Sequence, residues 1–153
     1  MSGAAERLAA LGLTLPPVAA PQAAYVPAVL TGSYVYVSGQ LPLIEGKLQA
    51  TGKVGESVTV EEAAALARIC ALNAIAAAAS VAGGLDAITR IVKVTGFVAS
   101  VPAFTGQPQV INGASELLIE VFGQAGRHAR SAVGLAALPL DSPVEVELIA
   151  EVA

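Results

Sequence analysis

The sequence predicts an α+β fold of order ββαβαβ, with a mixed sheet, two helices packed on one of its faces and a helical extension at the N-terminus. Three observations predict it. The stretch Val144–Val152 alternates strictly between apolar and mostly acidic residues, a period of two that belongs to a half-buried strand. Thr59-x-x-Glu62 is a capping box at the head of a long alanine-rich run ended by Gly83-Gly84. Farther on, Val110, Ala114, Leu117 and Val121 recur at the spacing of one helical face.

Taken in order, residues 3–12 form a short helix with Leu8 and Leu11 on one side, and a Pro- and Ala-rich connector runs from Leu13 to about Ala24. Tyr25–Thr31 and Ser33–Leu41 are extended and meet as a hairpin across Thr31-Gly32-Ser33, with Val35 and Val37 alternating against Tyr34, Tyr36 and Ser38. Residues 42–58 are loop, with Gly46-Lys47-Leu48 as a brief strand. The capped helix spans about 60–82, and alanine's small side chain lets it approach a sheet closely. A strand follows over 86–99, then a helix over about 108–124, a strand from Arg130 to Leu138, a Pro139–Pro143 turn and the last strand. In that strand Val144, Val146, Leu148, Ala150 and Val152 face the core, whereas Glu145, Glu147, Ile149 and Glu151 face the other way. A sheet face mixing glutamates with isoleucine suits an oligomer interface or a site wall better than open surface.

Composition bounds the function. At 153 residues the chain has the length of one domain; 55% is hydrophobic and only 13% charged, with a mean hydropathy of +0.70, which excludes disorder. The charge-free runs are interrupted by prolines or glycines or are mostly alanine, so no membrane span and no signal peptide is expected, and the reading is cytoplasmic. A net charge of −4 lacks the basic footprint of a nucleic-acid binder. One cysteine and one histidine offer no soft-ligand metal cluster, and no cofactor is expected. So few charges over so much apolar surface points to an oligomer.

Chemistry concentrates near the C-terminus. Gly126-Arg-His-Ala-Arg-Ser131 holds two arginines and the only histidine. Arg130 opens a strand, where its guanidinium can hold a carboxylate with two parallel hydrogen bonds; the competing reading makes Arg127 and Arg130 solvated charges pairing with Glu145 or Glu147. His128 is either a general base kept neutral by its cationic neighbours or a surface residue. Glu145 and Glu147 are candidates for activating water, against a hydrated acidic face. Tyr25, Tyr34 and Tyr36 read as cross-strand partners, Cys70 as a small core residue, and Asn112 as a local backbone partner or a pocket residue.

Three segments carry a family resemblance: Tyr34-Val-Tyr-Val-Ser-Gly-Gln40, Val92-Lys-Val-Thr-Gly-Phe-Val98, and Arg130-Ser-Ala-Val with Leu138-Pro139 and Val144-Glu-Val-Glu147. From about Tyr25 to the C-terminus they resemble the Rid family, also called the YjgF or liver perchloric-acid-soluble protein family. The N-terminal helix, Asn112-Gly-Ala-Ser115 and Gly126-Arg-His-Ala-Arg130 resemble a longer subgroup of it, whose role is poorly defined. The resemblance implies a chorismate-mutase-like fold for residues 25–153, with 1–24 as an added helix and connector. It also implies a homotrimer with clefts between subunits, in which reactive enamines and imines are hydrolysed to 2-oxo acids and ammonia. Arg130 then matches the residue holding the substrate carboxylate and Glu145 the acid near the attacking water; Tyr25, Ser38, Gly39 and Asn112 match cleft positions. The departures are Ala23-Ala24 for Gly-Pro, Pro27 for Gln, His128 for Pro, and Ala132 for a reactive Cys. The partners implied are a small 2-imino or 2-oxo acid and two further copies of the chain. The alternatives are a non-catalytic trimer that binds a small carboxylate metabolite and, behind it, a ribonuclease or translation inhibitor.

Overall fold

The computed structural model describes residues 2–153. After α1 (Ala4–Ala10) and the connector come β1 (Ala28–Thr31), β2 (Tyr34–Gln40) and a small ribbon, β3 (Leu43–Ile44) with β4 (Lys47–Leu48). Then follow α2 (Val60–Ala82), β5 (Ile88–Ala99), α3 (Gln107–Phe122), β6 (Ala129–Leu135) and β7 (Val144–Val152). The main sheet has five strands in the order β1-β2-β7-β5-β6, antiparallel except for the β5–β6 pair. The α+β class and mixed sheet are as predicted, and the predicted last strand, β7, inserts between β2 and β5 at the centre.

Local chemistry explains the element limits. The Thr59 hydroxyl accepts from the Glu62 amide at 3.2 Å, a cap worth about 1 kcal/mol. Gly83 ends α2 in the left-handed region at φ 93°. Eight alanines of α2 are buried against the sheet or α3. α2 is also the one helix among the described residues long and apolar enough to cross a membrane by length and composition; here it is a core helix. Gly113 lies against the Ala64 carbonyl, where any β-carbon on α3 would overlap the α2 backbone, so the two helices pack at close range. Beneath them Val35, Val37, Ile91, Val94, Val98 and the five even-numbered residues of β7 form the core.

Several expectations need correction. The first strand begins at Ala28 rather than Tyr25: Pro27 interrupts the run, and the Ser38 side chain and amide take the Val26 and Pro27 carbonyls at 2.6 and 2.9 Å. Tyr25 is therefore not a cross-strand partner. Residues 85–87 form a short 3₁₀ turn before β5, and β6 stops at Leu135 rather than Leu138. In α1 Ala4 and Leu8 are buried, whereas Leu11 lies just past the last turn and is exposed.

The face of the sheet away from the helices is uncovered in the single chain. Across it run Val29, Tyr36, Ile149 and Lys93 in one row, and Glu145, Phe97 and Val133 in another. Val29, Tyr36 and Val133 are 49%, 51% and 42% exposed, apolar side chains on a face that also carries Lys93, Glu145 and Glu147.

Candidate functional site

The predicted site residues fall into two groups. One group surrounds Glu145. A β-bulge interrupts the β2–β7 register between Val37 and Gln40, and it carries Ser38 and Gly39. Gly39 faces the Glu145 carboxylate so closely that a β-carbon there would overlap it. Ser38 fixes the segment that delivers Tyr25, whose hydroxyl accepts from the Gln22 amide at 3.1 Å. Tyr25, Gly39 and Glu145 line one cavity of about 480 Å³, walled by Ala19–Ala23 of the connector, Gln40, Leu41, Leu43 and Pro139.

Burial, and secondarily the like charge of Glu147, raises the Glu145 pKa above the ordinary carboxylate value. A glutamate so tuned is a better proton acceptor than an exposed one, as general-base chemistry requires. Behind it, burial and then the Glu145 charge push the Cys70 thiol well up, so this cysteine is an inert core residue.

The second group surrounds Arg130, which points toward the helices. Its Nη1 donates to Asn112 Oδ1 at 2.8 Å and to Ser115 Oγ at 3.2 Å, and its Nη2 to the Pro108 carbonyl at 3.4 Å. Within the chain Arg130 does not pair with Glu145 or Glu147, which occupy the opposite face of the sheet, and among the described residues it forms no ion pair. Of its five N–H groups, three are held by α3, leaving Nε–H and one Nη2–H for a ligand. Ser115, Ile119, Arg127, His128 and Arg130 line a second cavity, of about 230 Å³. His128 is half-buried there rather than a free surface residue, and its pKa is lowered chiefly by burial and further by Arg130, against the opposing effect of its bond to Gly126.

Three features of the two groups were not anticipated from the sequence. Ser115 joins the Arg130 cluster; its signals were its place in the Asn112-Gly-Ala-Ser115 segment and its spacing of three from Asn112, on the same helical face. The connector supplies a wall of the Glu145 cavity, for which composition carries no signal. Asn73, buried in α2, donates to the Leu41 and Leu43 carbonyls at 3.1 and 3.0 Å and so holds another wall; a polar side chain within an alanine run was its only mark.

Comparison with known proteins agrees with this architecture. Protein TCP17 of Trypanosoma cruzi is 47% identical over 148 residues, 96% of this chain and 92% of its own length. A Shewanella oneidensis crystal structure, described as a "putative endoribonuclease", superposes with a TM-score of 0.95 at 39% identity, covering 99% of this chain and all of that one (100%). Escherichia coli TdcF, solved with bound serine, superposes at 0.65 with 27% identity, covering 92% of this chain and 96% of its own. Residues 5–152 match the family described as "YjgF/chorismate mutase-like, putative endoribonuclease". With that match spanning nearly the whole chain, and a sheet and helix layer shared with the solved relatives, the chain belongs to the YjgF/chorismate mutase-like family.

Proposed function

We propose that the protein is a cytoplasmic hydrolase that deaminates small 2-imino acids at a cleft between subunits of a homotrimer. The observation that carries this reading is Arg130, a part-buried guanidinium with no carboxylate of its own, pre-oriented by α3 with two N–H groups free. Such a group is suited to a planar carboxylate. The bound serine of TdcF, a small carboxylate-bearing molecule on a related fold, points the same way.

Arg130 and Glu145 lie on opposite faces of one sheet, so a site using both takes them from neighbouring chains. The exposed apolar side chains of Val29, Tyr36 and Val133 support an assembly that covers this face. In the cleft, Arg130 of one chain holds the substrate carboxylate while Tyr25, Gly39 and Glu145 of the next line the reacting end. An iminium carbon is already electrophilic, so placing water against it supplies most of the catalysis. Water adds to that carbon and Glu145 takes its proton. Glu145 returns that proton to the carbinolamine nitrogen, the C–N bond breaks with its electrons leaving on nitrogen as ammonia, and the hydroxyl proton is lost through Glu145 to the ammonia as the carbonyl forms. One iminium acid and one water give one 2-oxo acid and one ammonium. An enamine first takes a proton on carbon to reach the same iminium.

The test generates 2-iminopropanoate enzymatically in the presence of semicarbazide and measures the semicarbazone formed. Faster hydrolysis, seen as less semicarbazone, supports the proposal; unchanged trapping beside an active family member rejects it. A second reading, a trimer that binds a small carboxylate without turnover, is favoured by the serine seen in TdcF. Saturable 2-oxo acid binding, lost in Arg130→Ala and accompanied by no hydrolysis, selects it.

A further inference from the structure

We propose that Ser115 and His128 are positioning residues that lock the Arg130 guanidinium in a single posture for a substrate carboxylate. The inference rests on the carboxylate-binding role of Arg130 proposed above, and its geometry stands apart from it.

The direction of each hydrogen bond follows from its partners. His128 Nδ1 lies 2.6 Å from the Gly126 carbonyl, which can only accept, so Nδ1 carries the ring hydrogen. In the neutral ring Nε2 must then accept. Ser115 Oγ lies 2.9 Å from Nε2, so the serine hydroxyl donates there. With its hydrogen committed, Ser115 offers only lone pairs to the Nη1–H of Arg130 at 3.2 Å. The other Nη1–H goes to Asn112 at 2.8 Å. The chain from Gly126 through His128 and Ser115 to Arg130 thus has one polarity.

The burial of Ser115 makes that polarity matter. Ser115 is 9% exposed, and among the described residues no buried side-chain polar atom lacks a partner. A serine free to rotate could turn its hydrogen toward Arg130, opposing one donor with another. His128 removes that choice by accepting the hydrogen. The histidine is itself placed by the 3₁₀ turn Gly123–Gly126 and by the start of β6, two positions before Arg130. A proline at position 128, with no side-chain acceptor, could not do this. Loss of the relay should therefore leave Nη1 of Arg130 held by Asn112 alone and weaken its grip on a carboxylate, without touching the reacting end of the cleft.

The test uses four full-length variants, Ser115→Ala, His128→Phe, His128→Gln and Arg130→Ala, beside the wild type. Glutamine can accept from Ser115 through its carbonyl and donate to Gly126 through its amide, so it should preserve the relay. One readout is nitrogen-15 NMR of the Arg130 guanidinium, which reports rotation about the Cζ–Nη bonds. The other is affinity for 2-oxobutanoate. Slow rotation is expected in the wild type and His128→Gln, and fast rotation in Ser115→Ala and His128→Phe. Affinity should fall about tenfold in the latter two and stay within about threefold in His128→Gln. Wild-type rotation and affinity in both Ser115→Ala and His128→Phe would overturn the proposal. Relay-dependent rotation in a wild type that binds no 2-oxo acid, like Arg130→Ala, would uphold the lock and reject the carboxylate role on which its purpose rests.

Discussion

Arg130 and Glu145 project from opposite faces of the same sheet. Arg130 is in register with Val94 and Leu148, whose side chains are in the core under the helices; Glu145 is in register with Phe97 and Val133 on the uncovered face. With β5 between their strands and three positions of β7 between their rows, their backbones are roughly 14 Å apart. Under the proposed mechanism one chain therefore presents two half-sites.

The Arg130 half-site should govern ligand affinity. Arg130→Ala should weaken 2-oxobutanoate binding at least about 30-fold, the loss of a charge-assisted pair of hydrogen bonds. Arg130→Lys should recover little of it, because an ammonium cannot present two parallel N–H groups. Calorimetric titration of both variants checks this.

Gly39 should be intolerant of any side chain. Its β-carbon in Gly39→Ala would meet the Glu145 carboxylate, which must shift or push the bulge apart. Stability should fall by about 1–3 kcal/mol, and the proposed deaminase activity should fall further than Arg130-dependent ligand affinity. Denaturant unfolding and a KM-against-kcat comparison separate the two effects.

The raised Glu145 pKa makes opposite predictions for stability and activity. Between the ordinary carboxylate pKa and its own raised value the folded chain binds more protons than the unfolded one, so this group's contribution to stability is lost as pH rises through that window. Activity needs the ionised form and should rise through the same window. Glu145→Gln should be the more stable protein at neutral pH, with the difference vanishing in acid, and should be inactive. Thermal unfolding and rate measured from pH 4 to 8 test both signs.

Asn73 should matter out of proportion to its distance from Glu145. Asn73→Leu removes a donor from the Leu41 and Leu43 carbonyls, leaving Leu41 with only the Leu43 amide at 2.8 Å, and should cost about 1–3 kcal/mol. The loosened wall should also raise the KM of the proposed deaminase reaction. A destabilised variant with an unchanged KM would restrict Asn73 to folding.

What the sequence revealed depended on how local the signals were. The 60–82 helix was legible to the residue because its cap, its alanines and its terminal glycine are neighbours in the chain. β7 was legible because alternation over nine residues admits one period. Tyr25 was misplaced because the determining contacts come from Ser38, thirteen positions away on the partner strand. Ser115 and His128 meet only after α3 and β6 fold together, so neither marks the other in sequence. The membership of Arg130 and Glu145 in one candidate site came from family resemblance, and the parity that puts them on opposite faces needed the β5–β6 and β5–β7 registers.

The central claim, one active site drawn from two chains, is tested most directly by mixing variants. Arg130→Ala and Glu145→Gln, each inactive alone, are denatured together in equal amounts and refolded, and imine hydrolysis is measured. In a closed ring where each cleft takes Arg130 from one chain and Glu145 from the next, random assembly restores about a quarter of the clefts. Recovery to about a quarter of wild-type activity is the predicted result; a co-refolded mixture no more active than either variant alone would contradict it.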